Sequence, residues 1–148
     1  MMQAPDFSQL CFRPFREDDT LLASLGKVCI AENGTGLVLR LECGANAVNP
    51  GGFVHGGATA ALFDVALYET ARAAFEAEAV TSALDVKFLA AGGPQLPLHV
   101  VTQNLKAGRT MATCIGSAFQ NGKMIACATG QFVRGAADMR GASISNAP

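Results

Sequence analysis

The segment from His55 to Ala79 constrains the fold more than any other part of the chain. It reads HGGATAALFDVALYETARAAFEAEA, is rich in alanine and contains no proline. Alanine is the best helix former, and apart from Asp64 the charged residues of the segment fall in its second half. The segment therefore predicts one helix of about twenty residues whose first half is apolar on nearly every side and must be buried.

The sequence on both sides of this helix has the pattern of antiparallel strands. Residues 25–43 form two β-rich runs around Asn33-Gly34, a typical hairpin signal. Four more runs follow the helix, over residues 81–90, 96–107, 108–120 and 121–134, with turns at Gly108-Arg109 and Asn121-Gly122. This order predicts an α+β fold in which an antiparallel sheet wraps around one long central helix.

The chain length of 148 residues fits one domain with its own core. We assign residues 1–24 to an N-terminal leader, 25–134 to the domain and 135–148 to a tail that we expect to be disordered. Half of the residues are hydrophobic and 16% are charged, which predicts that some apolar surface is buried between subunits.

Charge and cysteine content exclude several classes of protein. A net charge of −1 gives no general attraction to nucleic acid or to an anionic membrane. The uncharged stretch between Glu42 and Asp64 contains asparagines, a proline and five glycines, so a spanning helix is not expected there, and the N-terminus lacks the order of a signal peptide. We therefore expect a cytoplasmic protein.

The five cysteines are scattered, odd in number and never spaced as CxxC. The chain has two histidines, His55 and His99. We interpret the thiols as reduced core residues and expect neither a metal site nor a bound cofactor.

Asp64 is the carboxylate that most suggests chemistry, because it lies between Phe63 and Val65 in the apolar half of the helix. Ionising it there costs several kcal/mol unless it is hydrogen-bonded or lines a cavity. A purely structural hydrogen bond is the alternative interpretation. The functional one gains weight from the sequence NPGGFVHGG, which precedes the helix.

That sequence brings Asn49, His55 and the pair Gly56-Gly57 to the start of the helix. Glycine leaves backbone N–H groups open to a ligand, and the helix dipole is positive at the same place, so the pair suits a developing oxyanion. Taken alone, Asn49 could be a turn residue and His55 an ordinary residue at the helix start.

The spacing of Gly56 and Asp64 has a consequence for assembly. They are eight residues apart, which in a helix is roughly 12 Å along the axis. One helix cannot bring both groups to a single carbonyl. We therefore expect Asp64 to come from a second subunit's antiparallel helix, in a symmetric dimer with two composite sites.

The pattern N-x5-H-G-G-x6-D, formed by Asn49, His55, Gly56-Gly57 and Asp64, resembles the PaaI-like (phenylacetyl-CoA type) hotdog thioesterases. The resemblance covers roughly residues 25–134, including Phe88-Leu89 and the segment 106–109. It implies a hotdog fold and catalysis in which the Gly56 N–H polarises the thioester carbonyl. The partner's Asp64 would act as nucleophile or as general base on water.

The same resemblance implies that Asn49 orients the water or the carbonyl and that His55 lies near the thioester sulfur or holds the loop. It also implies a hydroxyl residue after the helix, either Thr81 or Ser82, with Thr81 favoured. Further substrate contacts are expected from a small set of residues, namely Gly57, Phe63, Ser82 and Arg109.

The chain departs from the family at Ala90-Ala91-Gly92-Gly93, where many relatives have Arg-Pro after the Phe-Leu pair. A basic residue for CoA phosphates is therefore missing at this position. Other basic residues could supply that charge, namely Lys87, Lys106, Arg109 and Arg134.

These observations predict a thioester hydrolase that cleaves a small acyl- or aryl-CoA, with coenzyme A as part of the substrate. We expect a homodimer and, as in similar proteins, a homotetramer. Two alternatives stay open: a non-catalytic acyl-CoA-binding hotdog module, which would bind without releasing thiol, and a hotdog hydratase or dehydratase, which would act on enoyl-CoA.

Overall fold

An antiparallel sheet wraps around a long helix, as predicted. The computed structural model describes residues 2–34 and 36–136. Across these residues the sheet has seven strands: β1 (Arg13–Pro14), β2 (Gly26–Asn33), β3 (Gly36–Cys43), β4 (Ala79–Phe88), β5 (Leu98–Ala107), β6 (Met111–Gln120) and β7 (Lys123–Arg134). Their order is β1-β2-β3-β5-β6-β7-β4, and all neighbours are antiparallel. This arrangement confirms the predicted hotdog fold and leaves β4 at an edge.

The central helix has the predicted length. After the short helix α1 (Thr20–Leu25), α2 spans Gly56–Phe75. His55 caps its start, since His55 Nδ1 accepts a hydrogen bond from the Gly57 N–H at 2.8 Å, and the helix ends where Glu76 turns left-handed at φ 51°. Its large apolar side chains are fully buried against the sheet, so packing rather than alanine content alone fixes its place.

The hairpins also follow the sequence closely. Asn121 and Gly122 have φ values of 48° and 74° and join β6 to β7, as a tight turn with two left-handed residues requires. In the first hairpin Asn33 pairs with Gly36, so that loop begins at Gly34, one residue later than expected. The β5–β6 loop begins at Gly108 as predicted, and its N–H donates to the Met111 carbonyl at 2.8 Å.

Residues ahead of β2 also pack on the sheet. The segment 2–12 lies on the sheet face that points away from α2, where it covers Val38, Val101 and Phe119. Phe7 stacks on His99 with ring centroids 3.9 Å apart, and the Arg40 guanidinium lies over Phe12. The predicted leader therefore contributes a second, smaller core. Most of the tail predicted at 135–148 lies outside the described residues.

The cysteines only partly match the core interpretation. Cys29 and Cys114 are buried, and burial raises the pKa of Cys114 to about 11. Cys43 and Cys127 are half-buried. Cys11 is exposed, and for this residue the prediction of a core position is wrong, because Cys11 lies in the covering segment with its side chain in solvent.

Within residues 2–34 and 36–136, no helix combines the length and apolarity needed to cross a bilayer.

Candidate active site

The start of α2 brings three of the predicted site residues together. Since the Gly57 N–H already donates to His55 Nδ1, it is engaged in capping the helix. The Gly57 amide therefore gives no support to the predicted role of Gly57 in substrate binding. Gly56 is the first helical residue, so its N–H has no acceptor within the helix. Gly56 is thus the amide best able to donate to an oxyanion.

His55 has a defined tautomer in this arrangement. A nitrogen that accepts a hydrogen bond carries no proton, so the ring proton belongs on Nε2. The backbone of His55 is also held, because its N–H donates to the Ala47 carbonyl at 2.7 Å. His55 therefore anchors the loop to the helix start, one of the two roles implied by the resemblance.

Asn49 closes the tight turn before the helix. Its N–H donates to the Phe53 carbonyl at 2.8 Å, and its Oδ1 accepts from the Phe53 N–H at 3.1 Å. Because the oxygen end of the amide is engaged, the Nδ2 end is the one that can donate to a substrate oxygen. This geometry suits an Asn49 that orients a carbonyl.

Gly56 and Asn49 open onto one cavity of about 370 Å³, which we call the Gly56 cavity. A volume in the range of ~300–1,000 Å³ is usual for small-molecule sites. The Phe88 ring forms one wall and would lie 3.4 Å from a Cβ placed on Gly56. The remaining lining comes from two loops, α2 and the start of β7: Phe53, Val54, Thr59, Leu89, Ala90, Ala91, Gly92, Ile125 and Ala126.

The Gly56 cavity has neutral walls. Among the described residues that line it there is no Lys or Arg. This agrees with the Ala90-Ala91-Gly92-Gly93 sequence, where a basic residue was expected from the family. Phe53, Phe88 and Leu89 stand at its rim with about half of their surface exposed. The cavity suits the uncharged part of a ligand better than its phosphates.

Asp64 lies two turns further along α2, away from this cavity. Its Oδ1 accepts a hydrogen bond from Thr81 Oγ1 at 2.9 Å, and the carboxylate is half-buried. The register of β4 against β7 shifts between Thr81 and Ala83, as in a β-bulge. The extra residue lets both Thr81 and Leu84 face α2, while Ser82 is exposed.

Three predicted substrate contacts lie elsewhere in this chain. Phe63 is fully buried, with its ring against Gly116, and belongs to the core. Ser82 is exposed, and the hydroxyl that donates to Asp64 is that of Thr81. Arg109 is in the β5–β6 loop, at the opposite end of the sheet, roughly 30 Å along the strands from the cavity. Arg109 could therefore reach a ligand only at another subunit's site.

The other candidate phosphate contacts are also placed. Lys106 is exposed near the end of β5, next to the loop that contains Arg109. Lys87 pairs with Asp85 at 2.6 Å on the exposed face of β4. Arg134 donates to the Phe75 carbonyl at the end of α2 that is remote from Gly56. Nowhere in the described ranges do three His, Cys, Asp or Glu side chains cluster closely enough to hold a metal ion.

Several residues that shape the cavity belong to no motif recognised in the sequence. Leu89, Ala90, Ala91 and Gly92 form its wall, and sequence reasoning treated them only as a missing basic site. A hint was available in the two glycines after Ala91, since glycine allows close approach of neighbouring groups. Gln120, whose side chain forms hydrogen bonds with Gly93 and Leu96 beside this wall, has no sequence signal that distinguishes it from an ordinary strand-end residue.

Comparison with known families decides the assignment. A family model described as "Acyl-CoA thioesterase N-terminal domain" matches residues 45–135, which include the start of α2, Asp64 and the cavity wall. The chain belongs to this acyl-CoA thioesterase family. The predicted thioesterase family is thereby confirmed, and the resemblance to PaaI proteins holds at the level of the fold. No curated protein matches the sequence.

Three solved structures illustrate the similarity of this fold to those of known proteins. Escherichia coli PaaI, from the phenylacetic acid degradation operon, is 22% identical with a TM-score of 0.73, over 82% of this chain and 88% of its own. Zebrafish thioesterase superfamily member 2 is 25% identical with a TM-score of 0.70, over 79% and 86%. A Bacillus halodurans protein solved with CoA is 29% identical with a TM-score of 0.61, over 65% of each chain.

Proposed function

We propose that this member of the family hydrolyses a small acyl- or aryl-CoA to the free acid and CoA. The observation that carries the proposal is the pairing of a helix-start amide with a cavity: the Gly56 N–H has no acceptor within the helix, and Gly56 lines the neutral cavity of about 370 Å³. A thioester carbonyl there would accept from Gly56, and Asn49 Nδ2 would be a second donor. CoA bound to a structural relative supports this substrate class.

The reaction also needs a carboxylate, and the chain's own Asp64 is too far along α2 to supply it. The edge strand β4 offers a solution. Thr81, near the start of β4, is hydrogen-bonded to Asp64, and Phe88, at its end, lies against Gly56. In a two-fold antiparallel pair of β4 strands, the Thr81 end of one strand lies beside the Phe88 end of the other.

This pairing would carry Asp64 of one subunit toward Gly56 of its partner and create two composite sites. It would also satisfy the outer N–H and C=O groups of a ten-residue edge strand, which no described strand covers. The proposed assembly is therefore a homodimer. Stacking of two dimers into a homotetramer remains a prediction from the sequence.

In the proposed mechanism Gly56 and Asn49 stabilise the oxyanion that forms as the carbonyl is attacked. Asp64 either attacks the carbonyl carbon itself or removes a proton from the attacking water. Thr81 holds the Asp64 carboxylate through its 2.9 Å hydrogen bond and so fixes its direction. If Asp64 attacks, a mixed anhydride forms as the CoA thiolate leaves, and water then hydrolyses it to the free acid and restores the Asp64 carboxylate. If Asp64 instead activates water, the water oxygen adds to the carbonyl carbon and the thiolate leaves directly. In both routes the thiolate takes up a proton that comes from the water.

The alternatives gain no specific support. A hydratase or dehydratase would need a His–acid pairing, and the Asp64 carboxylate of this chain accepts from Thr81, two turns along α2 from His55. A binding module would not need a carboxylate held by a threonine.

The test is thiol release by the purified full-length protein from aryl-, short-chain and medium-chain CoA esters, with enoyl-CoA hydration followed in parallel. We expect release from at least one ester. Binding of these esters without thiol release would favour the binding module and contradict the proposal, and hydration of enoyl-CoA without thiol release would favour the hydratase.

A further inference from the structure

Gln120 is a buried polar residue that the mechanism above does not use. It is the last residue of β6 and its side chain is 5% exposed. Its Nε2 donates to the carbonyls of Gly93 and Leu96, and its Oε1 accepts from the Gly93 N–H, each at 2.9 Å. Both amide protons and the oxygen are therefore committed to one loop, the segment 89–97 that joins β4 to β5.

Residues 89–92 of this loop line the Gly56 cavity, and the loop is tightly packed where Gly92 meets Gln120. A Cβ on Gly92 would lie 2.9 Å from Gln120 Oε1, 3.0 Å from Ile125 Cδ1 and 3.2 Å from Val54 Cγ2. Contacts this short are rare for real side chains, so glycine fits the space that the Gln120 amide leaves.

The same loop touches the start of α2. The Val54 N–H donates to the Gly92 carbonyl at 2.9 Å. Val54 directly precedes His55, the residue that caps the helix and sets the position of Gly56. Gln120 Oε1 thus holds the Gly93 N–H, the carbonyl of the same peptide group belongs to Gly92 and accepts from the Val54 N–H, and Val54 lies two residues before Gly56, whose amide is proposed to bind the carbonyl.

We infer that Gln120 is a positioning residue for the thioesterase site: its amide clamps the loop 89–97 and thereby sets both the cavity wall and the place of the Gly56 N–H. The inference rests on the proposed function. Burying a polar amide at a strand end is unfavourable unless all of its hydrogen bonds are made, and here each is made to Gly93 or Leu96, in the loop whose first residues form the cavity wall.

The experiment compares Gln120→Met, which keeps the length but removes the hydrogen bonds, with Gln131→Met, a control on an exposed position of β7. Gly92→Ala disturbs the same contact from the loop side and decides the question if Gln120→Met does not fold. Each protein is examined for kcat and KM across acyl chain lengths and for amide hydrogen exchange.

We expect Gln120→Met and Gly92→Ala to lower kcat/KM by about tenfold or more, because small misplacements in an active site are costly. KM should change most for the acyl groups that contact the wall, and exchange should rise in residues 53–57 as well as in 89–97. The Gln131 control should match the wild type. A purely structural role would lower Tm without changing this selectivity.

A folded Gln120→Met protein with wild-type kcat, KM and acyl preference would overturn the inference. So would faster exchange confined to residues 93–97, with none in 53–57. If the wild type itself releases no thiol from any ester, the proposed function fails, and exchange in 53–57 alone then decides whether Gln120 positions the Gly56 region.

Discussion

Replacing Asp64 separates catalysis from folding. In Asp64→Asn the new Oδ1 can still accept from Thr81 Oγ1, the bond that measures 2.9 Å in the wild type. The change removes the charge assistance of one hydrogen bond, which we put at about 1 kcal/mol of unfolding free energy. A domain of this size has roughly 5–15 kcal/mol of stability, so the variant should remain folded.

Activity should respond very differently. A positioned general base contributes roughly 10²–10⁴ in rate, and a nucleophile that is removed leaves no covalent route. We therefore expect kcat of Asp64→Asn to fall by at least about 100-fold with little change in KM, since the Gly56 cavity is untouched.

The assay is steady-state thiol release, with circular dichroism and thermal unfolding measured on the same samples. Asp85→Asn is the matched control, because Asp85 is an exposed carboxylate on the outer face of β4. Wild-type-like turnover in Asp64→Asn would refute the role of Asp64. An equal loss in the Asp85 control would show that the assay reports something other than the catalytic carboxylate.

Other predictions concern a positioning hydroxyl and a buried imidazole. In a thiol-release assay, Thr81→Val should lower kcat by several-fold to about tenfold, because it removes the hydrogen bond to Asp64. Thr81→Ser should keep the wild-type kcat, and so should Ser82→Ala. Equal losses in Thr81→Val and Ser82→Ala would contradict the role of Thr81. Burial, with the nearby Arg40 charge, lowers the pKa of His99 from 6.5 to about 4. The folded state therefore binds fewer protons than the unfolded chain between these values, and stability should fall on the order of 3 kcal/mol as the pH drops from 6.5 to 4. Urea unfolding of the wild type and of His99→Phe at several pH values checks this. The variant should lose that part of the pH dependence of the unfolding free energy, and the same pH dependence in both proteins would contradict the prediction.

Much of the fold could be predicted because local rules and tertiary structure agree here. The alanine-rich segment could be buried only as a helix, and Asn121-Gly122 fits the two left-handed positions of a tight turn. The segment 2–12 could not be predicted, because Phe7 acquires its partner His99 from a strand nearly a hundred residues away. Sequence spacing carries no information about such a contact.

The candidate site was predicted from equally local features. Gly56 was proposed as a glycine at a helix start and Asp64 as an acid in an apolar stretch, and their catalytic roles stay predictions. Phe63 was wrongly grouped with the ligand-contacting residues, because an aromatic residue beside a catalytic acid can equally face the core, as it does here against Gly116. The preference for Thr81 over Ser82 depends on a β-bulge, and a bulge changes the facing of side chains without a clear mark in the sequence.

The central claim is that each site combines Gly56 of one subunit with Asp64 of the other, and subunit mixing tests it most directly. Gly56→Pro removes the N–H at a position where proline is tolerated, and His55, with φ −64° and ψ 131°, already has the conformation that a following proline requires. Gly56→Pro and Asp64→Asn proteins should each be inactive alone. Unfolded, mixed in equal amounts and refolded, they should recover about one quarter of wild-type activity, because half of the dimers then contain one intact site. Mixtures that stay inactive although mixed dimers are shown to form would contradict the composite site.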